Sequence, residues 1–298
     1  MSIRGKMVGF AGRRPLRYLL GLPGLLVAAL LVACGAPGSA AVSTPAAGSS
    51  PVATAQLTVF AAASLTDAFN DLGQSFATTP AGARVRFSYA GSPTLRTQLA
   101  QGARADLFAS ADEPNMQGAQ RDGTIASTPK IFVSNRLVVI VPRRNPAGIT
   151  TLPDLGRSGV KLVLAAANVP VGNYARQSLT KMGGDPSFGA GFTQQALANV
   201  VSDETDVKQV VAKVQLGEAD AGIVYSSDVT AAVRPQVTVI AIPDPYNVVA
   251  RYPIAVVEGS ANPTAAQAFI DYVLSPTGQA TLEHYGFIPV APTGAPRG

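Results

Sequence analysis

From Gln56 onward, short apolar runs rich in β-branched residues alternate with stretches whose apolar positions recur every three to four residues. The runs predict strands over 56–62, 84–89, 105–110, 136–141, 160–165, 220–225, 236–242 and 253–258. Helical spacing is clearest over 65–76, where Leu65, Phe69, Leu72 and Phe76 step by four, three and four. It returns at 93–101, 172–182, 206–216 and 263–285. Strand–helix alternation predicts an α/β protein with mainly parallel sheets and helices on their faces.

The first 55 residues read differently. A basic stretch ending at Arg17 precedes the apolar run 18–33, which Pro23 interrupts and which is short for a bilayer span. The run closes in "LVAC", and Cys34 is the single cysteine of the chain. This is the pattern of a lipoprotein signal peptide over 1–33, with Cys34 as the lipidated residue and new N-terminus. The arginine pair at 13–14 leaves the export route open between general secretion and twin-arginine export. Residues 34–55 hold only small residues, Pro and Cys34, a composition suited to a flexible tether.

Charge changes the picture once it is located. Five of the 23 basic residues precede Tyr18, and no acid precedes Asp67, so the net charge of +5 belongs to the leader. The body is neutral, without a basic patch for nucleic acid. With one cysteine there is no disulfide framework, and stability must come from packing.

Candidate chemistry gathers at predicted helix starts. Ser64 opens "SLTD", a capping-box pattern with Asp67, and Ser92 stands as N-cap before Pro93. Pro170, Val171 and Gly172 enter a third helix, and Asp203 to Val207 enter a fourth. Each start offers unpaired N–H groups and partial positive charge, so several around one cleft would form an anion site without Arg or Lys. Singly, each is equally well read as a cap, a turn or core. Ser64 as a nucleophile lacks a base: the single histidine, His284, lies near the C-terminus, and no G-x-S-x-G or Ser-x-x-Lys surrounds Ser64. Metal-ligand clusters and phosphate-loop motifs are also missing, so the chain reads as a binder rather than an enzyme.

"TVFAAASLTDAF", "FSYAGSPTLRTQL", "GARADLFASAD", "VPVGNYARQSL", "ADAGIVYSSD", "RYPIAVVEG" and "SPTGQATLEHYGF" occur in this order across 56–288. In them the chain resembles the molybdate-binding proteins of bacterial ABC importers. The resemblance implies a type II periplasmic-binding-protein-like fold of two hinged lobes, with lobe 1 from 56–134 plus 253–298 and lobe 2 from 135–252. It implies that the lobes close on molybdate, or tungstate, through Ser64, Ser92, the N–H groups of Val171 and Val207, and the Tyr225 hydroxyl. It implies no cofactor, a monomer tethered by its lipid anchor outside the cytoplasmic membrane, and an importer permease with its ATPase as partners. Gly91 and Pro93 depart from the family's serines at those positions, and Val171 from its frequent alanine. Two other cargoes stay open: a different tetrahedral oxyanion such as sulfate, and ferric iron held by Tyr225, Tyr246 and Tyr252.

Overall fold

The computed structural model describes residues 56–290, so the leader, Cys34, the tether and residues 291–298 lie outside the described residues. Two sheets organise the body. The first contains β1 (Gln56–Ala62), β2 (Arg84–Ala90), β3 (Leu107–Ala109), β4 (Lys130–Asn135), β10 (Ala250–Val256) and β11 (Ile288–Pro289), in the order β11-β4-β10-β3-β1-β2. The second contains β5 (Leu137–Pro142), β6 (Leu162–Ala165), β7 (Val200–Glu204), β8 (Ala221–Tyr225) and β9 (Val237–Ala241), in the order β7-β6-β8-β5-β9. The helices are α1 (Thr66–Ala77), α2 (Ser92–Ala100), α3 (Glu113–Arg121), α4 (Pro170–Gly183), α5 (Phe192–Ala198), α6 (Val207–Gln215), α7 (Pro263–Leu274) and α8 (Pro276–His284).

The molecule is a two-lobed α/β protein, and each sheet is mixed rather than mainly parallel. β2, β1 and β3 run parallel, as do β7, β6 and β8. The remaining ladders are antiparallel. The antiparallel strands include those at which the chain changes lobes. β4 ends at Asn135 in the first sheet and β5 starts at Leu137 in the second, so a single residue, Arg136, makes that passage. The return lies between β9 and β10, and Ala250 already pairs with Asn135, ahead of the expected re-entry into lobe 1 at residue 253.

Burial explains the elements. In α1 the apolar stripe predicted from spacing places Phe69, Leu72 and Phe76 in the core. Phe69 packs 5.6 Å from Phe132 and 6.0 Å from Phe269, and Phe76 lies 5.2 Å from Phe269, measured between ring centres. This aromatic cluster seats α1 against α7 and fixes the loop that precedes it. The helical stretch expected over 263–285 is two helices: Ser275, extended at ψ 160°, separates them and caps the second by accepting from the Gly278 N–H. Among the described residues no helix is long and apolar enough to cross a membrane.

Candidate functional site

The carboxyl ends of the parallel strands of both sheets face one cleft, the place where open α/β sheets present ligand sites. β1 runs into a 3-10 turn, Ala63–Leu65, that carries Ser64; β2 ends just before Ser92; β3 ends two residues before Ala111. From the second lobe, β6 leads into α4, β7 leads into α6, and β8 ends at Tyr225. One cavity is lined by Ala62, Ala63, Ser64, Gly91, Ser92 and Ala111 on one side and Val169, Pro170, Val171, Asp206, Val207 and Tyr225 on the other. All five residues singled out in the sequence therefore meet. The space between these residues is about 220 Å³ with the open mouth counted in. Its size suits a small ion.

Both lobes bring free donors to the wall, and the one carboxylate there is already engaged. Asp206 is the N-cap of α6, and its carboxylate accepts from the N–H groups of Lys208 (2.8 Å) and Gln209 (3.2 Å). That occupies two of the free donors of the first turn and leaves the Val207 N–H, at the first helical position, without a protein acceptor. The N-cap position of α4 is Val169, whose side chain has no acceptor, and Pro170 has no N–H. The Val171 N–H is thus the first donor at that end. Ser92 Oγ accepts the Ala111 N–H at 3.0 Å, so its own hydrogen is free for the cavity. No lysine or arginine lines the cavity.

Two expectations about caps are corrected. Ser64 does not cap α1: the chain enters that helix through the 3-10 turn, with Leu65 at the N-cap position and no side-chain cap, and Ser64 Oγ instead meets the Tyr252 hydroxyl at 3.0 Å. Ser92 is the first residue of α2, with Gly91 at the N-cap position, because its hydroxyl is committed to the neighbouring Ala111 backbone.

Tyr225 is the most informative group. It is 1% exposed, and its hydroxyl has no hydrogen-bond partner among the described residues. An unpaired buried hydroxyl costs on the order of 1–3 kcal/mol, which an acceptor inside the cavity would remove. Burial raises the pKa of this phenol well above the ordinary 10, as it does for Tyr252. Both are therefore protonated at neutral pH in the unliganded protein and can act as hydrogen-bond donors. Tyr246, the third tyrosine considered for iron, bonds Asp185 and does not line the cavity. Among the described residues no group of three or more His, Cys, Asp or Glu could hold a metal.

A nucleophilic Ser64 has no base here. Its hydroxyl partner is Tyr252, and His284 is exposed at the end of α8. Sequence reasoning missed the layer behind the site: Asn135 and Tyr252 behind Ser64, and Lys208 between Asp67 and Asp228. These partners are separated by 117 and 141 residues in two of the contacts, so no local pattern could reveal them.

Two α/β lobes with a small cavity between them, walled by residues of both lobes, have the architecture of a solute-binding protein. The family model for bacterial extracellular solute-binding proteins matches residues 57–288, and the chain belongs to that family. The molybdate-binding protein ModA of Mycobacterium tuberculosis is 37% identical over 268 residues, covering 90% of this chain and 96% of that protein. ModA of Escherichia coli is 35% identical over 255 residues, covering 83% of this chain and 95% of the relative. Among solved structures, the substrate-binding domain of a putative molybdenum ABC transporter from Clostridium difficile superposes with a TM-score of 0.59 at 30% identity, covering 79% of this chain and 99% of that one.

Proposed function

We propose that the protein captures molybdate outside the cytoplasmic membrane and presents it to the permease and ATPase of an ABC importer. The observation that carries this reading is the buried Tyr225 hydroxyl, without an acceptor among the described residues, in the wall of a small cavity that Ser64, Ser92, Val171 and Val207 also line. Molybdate is fully deprotonated at neutral pH, so each oxygen accepts and none donates. Ser64, Ser92, Tyr225 and the N–H groups of Val171 and Val207 match that requirement. Helix N-termini supply the positive potential, which is why no lysine or arginine is needed. The names of the molybdate-binding relatives agree with the same cargo.

Tungstate, of like charge and shape, belongs to the same reading, and sulfate differs chiefly in size. A protonated oxyanion such as hydrogen phosphate brings a donor to face those donors and is disfavoured. Cys34 is proposed as the lipid anchor. Calorimetric titration with molybdate, tungstate, sulfate, hydrogen phosphate and ferric citrate tests the assignment. The expected order is molybdate and tungstate first, sulfate weaker, hydrogen phosphate and iron weakest; preference for sulfate or iron would overturn it.

A further inference from the structure

Behind Ser64 stands a buried chain of hydrogen bonds with a defined direction. Asn135 Oδ1 accepts the backbone N–H of Arg136 at 3.0 Å and the Ser226 hydroxyl at 2.9 Å. The backbone group can only donate, so the oxygen of the amide is fixed on that side and the NH₂ faces the other way. That NH₂ reaches Ser227 Oγ at 2.8 Å and the Tyr252 hydroxyl at 3.4 Å. An amide NH₂ has no lone pair to offer, so the Tyr252 oxygen is the acceptor. Its hydrogen then goes to Ser64 Oγ, at 3.0 Å, since the Tyr225 hydroxyl beside it stands outside hydrogen-bond geometry. With Tyr252 donating to it, Ser64 turns its own hydrogen into the cavity.

We infer that Tyr252 is a positioning and specificity-determining residue: by donating to Ser64 it holds that hydroxyl as a donor toward the bound oxyanion. The inference rests on the oxyanion reading above and deepens it. Tyr252 and Asn135 are both 0% exposed, so no water competes for these bonds. Tyr252 does not line the cavity itself. It sits on β10, Asn135 is the last residue of β4, and Ser226 and Ser227 follow Tyr225, so the chain ties both lobes together where the polypeptide passes between them. Without the Tyr252 hydroxyl, Ser64 could rotate and accept a hydrogen bond as readily as give one. The unpartnered Tyr225 hydroxyl is already free to turn; releasing Ser64 adds a second, and each hydroxyl free to accept makes a protonated oxyanion easier to hold.

Sulfate and hydrogen phosphate at mildly alkaline pH test this, since they share shape and charge and differ by one proton. Each is titrated as a competitor of molybdate on the parent, Tyr252→Phe, Ser64→Ala and the double variant, with thermal melts to confirm folding. In Tyr252→Phe the preference for sulfate over hydrogen phosphate is expected to fall about tenfold, with molybdate weakened less than about tenfold. In the Ser64→Ala background Tyr252→Phe is expected to change the preference no further, because the two residues act as one unit. A preference unchanged in Tyr252→Phe, or an equal change with and without Ser64, would show that Tyr252 only packs and would overturn the inference. If Tyr252→Phe does not fold, Tyr252→His, which keeps a ring with a polar edge, replaces it under the same criterion, and a sulfate preference in Ser64→Ala equal to the parent's would by itself overturn the inference. A parent that binds none of these anions would instead overturn the oxyanion reading together with this one.

Discussion

Lys208 Nζ of the second lobe lies 2.8 Å from Asp67 Oδ2 of the first, one residue beyond the Val207 N–H that faces the cavity. The same ammonium is 3.6 Å from Asp228 Oδ1, which is fully buried. The pair with Asp67 joins α6 to α1 across the cleft and so exists only while the lobes are together.

Its worth is limited by exposure. Asp67 is 43% and Lys208 30% exposed in their side chains, and pairs of this kind contribute roughly 0–1 kcal/mol. Asp67→Asn is expected to weaken molybdate about two- to fivefold, chiefly through faster release, and to flatten the salt dependence of binding. Equal affinity and equal salt dependence in parent and variant would remove this contact from the closure.

Asp228 gives a pH signature. Burial raises its carboxyl from the ordinary 3.8 to about 6, although Lys208 and the Tyr225 N–H pull it down. The folded protein therefore binds this proton more tightly than the unfolded chain. Relative to the neutral form, the charge costs stability above about pH 6, and that cost disappears as the pH falls toward 4. Asp228→Asn keeps a carbonyl for the Tyr225 N–H and cannot titrate. Melting temperatures of both proteins between about pH 4.5 and 7.5 should show the parent gaining on the variant as pH falls; parallel curves would contradict the assignment.

Gly91 separates closure from folding. Its backbone is extended, at φ −60° and ψ 141°, which any residue adopts. A Cβ there would stand 2.4 Å from the carbonyl oxygen of Thr205 in the other lobe. Gly91→Ala is expected to leave stability within about 0.5 kcal/mol, as for a change free of strain within its own lobe, while weakening molybdate more than tenfold. The same melting temperature with undiminished affinity would show that the lobes do not meet at this point.

Much of this was legible in the sequence. Periodicity located α1, α2, α4 and α6 near their observed ends, and the cluster of helix starts brought Ser64, Ser92, Val171 and Val207 into view, whereas Tyr225, at the end of β8, was reached only through the family resemblance. What escaped has physical reasons. β4, "KIFVSN", follows no strict alternation because its burial depends on two antiparallel neighbours, β10 and β11. Ser64 carries a sound capping pattern, yet its hydroxyl is used by Tyr252, 188 residues away. Local patterns report caps; only the assembled fold reports which hydroxyl each one meets.

The anchor makes an independent prediction. Cys34→Ser should move the protein from the detergent phase to the aqueous phase on partitioning, with molybdate affinity unchanged, because residues 35–55 hold nothing but small residues and proline. Retention in the detergent phase would contradict lipidation at Cys34.

Tyr225→Phe removes one of the buried donors by which the two lobes are proposed to hold the dianion. The change removes one oxygen that makes no hydrogen bond within the protein, so folding should be kept or slightly favoured. A charge-assisted hydrogen bond in a dry cleft contributes about 1.5–3 kcal/mol, which corresponds to about a 10- to 150-fold loss of affinity. Calorimetric titration of Tyr225→Phe with molybdate should show a loss in that range with a melting temperature at or above that of the parent. Affinity equal to the parent's in a folded variant would place the anion elsewhere and contradict the account.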